Sequence, residues 1–231
     1  MTLLELITAL REDILDDTGG DAVIWQDSTK QDLLRWSNSA LTRYINQAQN
    51  EVAIRTRCIR DASGTIAVKI GTSVYQLDDK ALDIERVKLT GYNQKLHPVS
   101  WKTLDQQNSR WEDQTGTPEY YIPDWSTGYI KLYPEPIADD TISLIVDRLP
   151  KRDLRLAQWS SDKPEIPEEW QYKMLHWAAH LAYSKDEPNT IDPQKAVLHD
   201  QLFTREFGHS ENLYTTERKK KPIRAVRYGG L

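Results

Sequence analysis

Cysteine is almost absent: Cys58 stands alone among 231 residues, which excludes an intramolecular disulfide and a zinc site built from several cysteines. A reducing, cytosolic place of synthesis fits that usage. Glycine is scarce, at ten residues, and never clusters into a phosphate cradle. There is no G-x-x-x-x-G-K-[ST] loop, no G-x-G-x-x-G after a strand and no G-x-S-x-G elbow. No apolar run approaches the roughly 18 residues needed to span a bilayer. The N-terminal MTLLELITALREDILDD has no basic leading region and no small-residue cleavage site, so it reads as a helix and not an export signal.

Phenylalanine is also scarce, with two residues against eight tryptophans and eleven tyrosines. Trp and Tyr carry a polar group on a large apolar body, so their excess over Phe points to half-wet surfaces where chains meet. Hydrophobic residues at 39% and charged residues at 28% place the chain among globular proteins.

Leu3, Ile7, Leu10 and Ile14 write one apolar stripe on a first helix, 2–17, stopped at Thr18-Gly19-Gly20. After a loop holding Trp25, Ser28 and Gln31 stand in capping-box spacing. They open a second helix, 31–57, with Leu34, Leu41, Ile45, Ala48 and Val52 as its buried stripe. From Ile59 to Pro150 the period changes to two. Ile66, Val68 and Ile70 alternate, Gly71-Thr72-Ser73 turns the chain into Val74–Leu77, and the pair reads as a hairpin. Strands are expected at Val87–Leu89, Tyr120–Ile122, Tyr129–Tyr133 and Thr141–Val146, with a short helix through Trp101, Leu104 and Trp111. Pro134 and Pro136 mark a turn.

A third helix, 167–186, starts at Pro167-Glu168-Glu169, with Trp170, Met174, Trp177, Ala178 and Leu181 as its stripe. A fourth, 193–207, is capped by Asp192, begins at Pro193 and stops at Gly208. Elements in this order predict an α+β fold, with N- and C-terminal helices forming a bundle around a central antiparallel sheet and an extended tail from 209 to 231. Within the tail, residues 217–231 hold six cations (Arg218, Lys219, Lys220, Lys221, Arg224, Arg227) against Glu217, a net of +5. With −5 overall, the remainder holds −10.

Candidate chemistry is sparse. His176 and His180 are the one metal-like pair, four apart on a helix, but the zinc-protease pattern needs Glu where Trp177 stands. Both fall away from the apolar stripe and read as surface or interface histidines, and His199 as a core-edge histidine. Ser160 and Lys163 match S-x-x-K without its partners. The adjacent acids Asp16/Asp17, Asp78/Asp79, Asp139/Asp140 and Glu168/Glu169 read as solvated caps. Neither a catalytic residue nor a cofactor or metal site is assigned, and the reading is of a protein that is not an enzyme. A basic tail interleaved with Ile223, Val226, Tyr228 and Leu231 suits an acidic protein partner or a phosphate backbone.

Two stretches resemble the head-to-tail adaptor, or connector, proteins of tailed bacteriophages. The first runs Gly116-Thr117-Pro118-Glu119-Tyr120-Tyr121, Gly128-Tyr129-Ile130-Lys131-Leu132-Tyr133-Pro134-Glu135-Pro136, then Thr141–Val146 and Pro150. The second runs from Ile166-Pro167-Glu168-Glu169-Trp170 through Ala178, Ala179, Ala182 and Tyr183 to Lys185-Asp186-Glu187, then Ala196, His199 and Phe203. The resemblance covers about residues 31 to 207. It implies an adaptor domain, 1–208, and a virion protein of the head–tail neck made in the host cytoplasm. Copies would form a ring, commonly of about twelve, between the capsid portal protein and the tail nozzle or tube. DNA would pass through the centre without sequence-specific binding, and no membrane, cofactor or reaction is involved. The family's C-terminal segment docks against the portal, which makes Arg218, Lys219, Lys220, Lys221, Arg224, Arg227 and Tyr228 the expected anchor. The alternatives are a nucleic-acid-binding protein gripping through the same tail, and a hydrolase with a metal on His176 and His180. An acidic body would repel a DNA backbone and let it slide.

Overall fold

Thr2 and Glu5 open the first helix by satisfying each other's backbone: the Thr2 hydroxyl accepts from Glu5 N, and the Glu5 carboxylate accepts from Thr2 N at 2.8 Å. In the computed structural model, which describes residues 1–18, 34–185 and 190–209, this helix is α1, Leu3–Ala9, and it continues as a π-helical turn, Leu10–Leu15. The π-turn adds one residue to the turn, so Leu15 takes the buried place that strict α periodicity gives to Ile14. The helix ends at Asp16 in the left-handed conformation, φ 50°.

Arg11, on the π-turn, is wholly buried. Its guanidinium bonds to the Asp17 carboxylate, to the Trp36 carbonyl at 2.6 Å and to Asn38 Oδ1 at 2.9 Å. Asp17 in turn accepts from Arg35 N at 3.0 Å. The second helix, α2, is Asn38–Thr56 and not 31–57: Leu34, Arg35 and Trp36 are bent, and Ser37 caps the helix through Ala40 N. Arg35 and Trp36 are occupied by tertiary bonds. Trp36 also donates its indole N–H to the Ala182 carbonyl at 3.1 Å. The expected cap at Ser28 and Gln31, with Trp25 and the Gly19-Gly20 stop, lies outside the described residues.

The expected helix 167–186 is broken into α4, Glu168–Gln171, and α5, Leu175–Tyr183; its expected end at 186 lies outside the described residues. Between them Leu175, His176 and Trp177 each donate to the carbonyl three residues back, a tightening that turns the buried face. Leu175, Ala178, Ala179, Ala182 and Tyr183 face the core, while Trp177 and Leu181 are half-buried. Helix α6, Pro193–Phe207, has the predicted bounds, with Asp192 accepting from Lys195 N and Gly208 at φ 76°. These helices share one core, from Leu3, Leu6 and Ile7 through Leu41, Ile45 and Val52 to Leu175, Ala179, Phe203 and Phe207. They form one unit, Met1–Ile59 with Arg148–Ser210.

Arg60–Asp147 forms a second unit built on a seven-stranded sheet of order β1-β9-β3-β4-β6-β7-β2. Its strands are β1 Arg60–Val68, β2 Val74–Gln76, β3 Ala81–Leu89, β4 Gln94–Pro98, β6 Tyr120–Ser126, β7 Tyr129–Tyr133 and β9 Asp140–Arg148. Two-residue strands β5, Thr115–Gly116, and β8, Glu135–Pro136, pair in parallel beside it. The sheet is mixed rather than antiparallel, because β4 and β6 also run parallel. Nor do β1 and β2 form the expected hairpin: β1 pairs with β9 and β2 with β7. The Gly71 turn carries the chain between the two edges of the sheet, where the Tyr75 hydroxyl accepts from Lys69 N and donates to the Thr72 carbonyl. Val68 and Tyr75, from opposite ends of the strand order, therefore lie in one core with Val87, Leu96, Tyr121, Leu132 and Ile142. The sheet curls around that core.

On the outer face at β6 and β7, helix α3, Trp101–Gln107, and a 3₁₀ turn, Trp111–Asp113, replace the expected single helix. They cover Ile122 with Leu104 and Trp111.

Candidate functional site

The expected anchor residues Arg218, Lys219, Lys220, Lys221, Arg224, Arg227 and Tyr228 lie outside the described residues. Two clusters of chemically capable side chains and one surface feature stand within them.

The first lies between α5 and α6, where Ala178, Ala179 and Ala182 leave room for rings. His176 Nδ1 and His199 Nδ1 face each other at 3.2 Å, with ring centroids 5.3 Å apart, and His199 stacks on Tyr183 at 5.7 Å. His180 turns its Nδ1 to the Ala196 carbonyl at 2.9 Å. His199 is at the core edge as predicted, whereas His176 and His180 are half-buried in the seam between the helices. Burial holds His176 below the ordinary histidine value and, helped by His176, Lys195 and His180, holds His199 down at about 4. His176 is committed to another helix and His180 to a carbonyl. Among the described residues no group of three or more His, Cys, Asp or Glu side chains is placed to hold a metal ion.

The second cluster surrounds Lys131. Strand alternation puts Lys131 and Tyr133 on the outer face of β7, while Ile130 and Leu132 enter the core. The Lys131 ammonium sits 4.0 Å from the centre of the Trp125 ring and 4.7 Å from that of Trp111, with Glu112 at 3.4 Å. Trp111 stands edge-on to both Trp125 and Tyr133 and donates its indole N–H to Asp105 at 2.7 Å. The cage is filled by the protein's own cation.

The remaining sequence candidates are structural. Asp17 binds Arg11, Asp78 caps the turn at Lys80, Asp139 pairs with Lys69, and Asp140 accepts from Gly91 N. Ser160 and Lys163 are exposed in the turns after Leu156–Gln158, away from any helix start.

The third feature is surface. Trp36 and Trp111 are buried among the described tryptophans, and the others reach solvent. Apolar side chains stand out on both units: Tyr172, Ile191, Val197 and Leu198 on the helical one, and Ile70, Tyr92, Trp101 and Ile137 on the sheet. No described helix is long and apolar enough to cross a membrane. The model of a family described as SU10 adaptor protein matches residues 1–225.

The chain belongs to the SU10 adaptor family. The family is one of phage head-to-tail adaptors, and the chain has the structural role of a phage adaptor protein, a component of the virion. No curated protein matches it. The match spans both units, so the curled sheet and the helices are together the body of an SU10 adaptor. Sequence reasoning missed the Lys131 cage and the buried Arg11. The signal for the first was a lone lysine alternating with Tyr129 and Tyr133 in YIKLY. For the second there was none, since Arg11 reads as one more solvated charge.

Proposed function

We propose that copies of this adaptor form a ring, of about twelve subunits, seated between the capsid portal and the tail nozzle or tube, with DNA passing through its centre. The family match over residues 1–225 carries this reading. Exposed apolar residues on both units support it, since a closed ring needs two different complementary faces on each subunit. The role is mechanical: no step of covalent chemistry is assigned to it. In this reading residues 1–208 are the adaptor domain, and the basic segment from 209 to 231 binds the portal through Arg218, Lys219, Lys220, Lys221, Arg224, Arg227 and Tyr228. The +5 charge of residues 217–231 is suited to an acidic partner surface.

Native mass spectrometry of the purified chain, alone and mixed with the portal of the same phage, tests the proposal. A complex with one adaptor per portal subunit is expected. A chain that stays monomeric and unbound rejects it and favours the nucleic-acid reading of the tail.

A further inference from the structure

The charge of the sheet unit is unevenly placed. Val87 and Leu89 on β3, and Leu96 on β4, enter the core. Alternation therefore turns Arg86, Lys88, Lys95 and His97 to the outer face. The register of the hairpin sets Lys88 directly opposite Lys95. Like charges directly opposite each other on neighbouring strands destabilise a sheet. No carboxylate relieves them: among the described residues neither Arg86, Lys88 nor Lys95 forms an ion pair, although the unit holds more acids than bases. The acids of β3, Asp83 and Glu85, alternate onto the opposite face and raise the Tyr121 hydroxyl there, behind the larger effect of burial.

Beside these cations, Tyr120 of β6 is paired with His97 in register, and their rings lie 6.4 Å apart. Both side chains are exposed. On the neighbouring β9, Thr141 and Ser143 share the outer face, because Ile142 and Leu144 are in the core. The helical cover over β6 and β7 is centred on Ile122. The strip over β3 and β4 consequently exposes cations, hydroxyls and a ring, and no Ile, Leu or Val side chain.

The geometry points to a phosphate-binding strip on the outer face of the β3–β4 hairpin, whose ligand is the backbone of double-stranded DNA; this rests on the adaptor reading, in which DNA passes the protein. Protein interfaces are depleted in lysine and centred on apolar anchors, whereas this strip exposes lysines and no Ile, Leu or Val side chain. Duplex DNA carries a charge every ~1.7 Å along its axis and is gripped by Lys, Arg, Tyr and hydroxyl side chains without reading sequence. Such a contact holds DNA loosely and allows it to slide.

The test measures binding of a fluorescently labelled 30-base-pair duplex of arbitrary sequence to the full chain, by anisotropy, over a range of salt. Three proteins are compared: wild type, R86Q/K88Q/K95Q, and K80Q/K102Q/K163Q, which loses the same charge elsewhere. Circular dichroism checks that each is folded. Losing three phosphate contacts lowers the slope of log K against log salt by about 2 to 3 and the low-salt affinity by about tenfold or more. The second variant is expected to stay near wild type. Equal losses in both variants, or none in the first, overturn the strip. Portal binding by the same variants separates the two readings: it survives in R86Q/K88Q/K95Q if the strip is for DNA. Loss of portal binding with unchanged DNA binding makes this face a protein dock and rejects the proposal.

Discussion

His176 and His199 meet through their Nδ1 atoms at 3.2 Å across the seam of α5 and α6, so one ring must donate the proton that the other accepts. The pair tolerates one proton there and not two. Lys195, Arg205 and His180 add positive charge nearby, and Glu206, held by Lys173, is the nearby acid. His199 titrates at about 4 when folded and near 6.5 when unfolded. The unfolded chain thus takes up protons first as pH falls. Stability is full above about pH 6.5 and is lost between there and about pH 4, by of order 2 to 3 kcal/mol. Urea unfolding at pH 7 and pH 4.5 reads this directly. H199Q should be less stable at pH 7 and lose less between the two pH values; an equal loss in both proteins argues against His199 as the source.

A second prediction concerns Arg11 and Asp17. The guanidinium is pulled below its ordinary pKa by burial and held charged by Asp17. Arg11→Met leaves the Asp17 carboxylate buried without its cation, which costs about 3 to 5 kcal/mol. R11M/D17N removes both charges and should recover part of that loss. Thermal unfolding of the two variants distinguishes them, and equal melting temperatures would show that the pair is not coupled.

The same residues show what sequence could convey. Helix α6 was legible because its signals are local: Asp192, Pro193 and Gly208 act within one turn of the ends. The start of α2 was not, because Trp36 and Asn38 are claimed by Arg11, 25 and 27 residues away. In the sheet, alternation located β7 and the middle of β9 but carried no information on pairing. The curl depends on β1 meeting β9 across the whole unit, and β4 was overlooked because Leu96 is its only buried apolar residue. The histidine seam was half visible, since His176 and His180 share a helix while their partners come from α6.

Lys131 supplies a third prediction. Its ammonium lies over two indoles that are themselves edge-on, so removing the charge removes one of the contacts that hold Trp125 and Trp111 in place. Lys131→Met should destabilise the sheet unit by about 1 to 2 kcal/mol, and Lys131→Arg by less, since a guanidinium keeps the cation–π contact. Near-ultraviolet circular dichroism should change in the Met variant and persist in the Arg variant. Identical spectra for all three proteins would mean that the indoles pack independently of the cation.

The last prediction separates body from tail. The described residues up to His209 contain all the core clusters, so a chain ending at Leu213 should keep them. Removing residues 214–231 takes away all six basic residues and Tyr228. If that segment is the portal anchor, the shortened protein unfolds at the wild-type temperature yet no longer binds portal in a sedimentation assay. Restoring the length with R218Q/K219Q/K220Q/K221Q in the full chain should leave binding weak, because the attraction to an acidic surface is carried by charge and not by reach. Wild-type affinity in the truncated protein would move the portal contact onto the body, where Tyr172, Val197 and Leu198 are the exposed apolar side chains to test next.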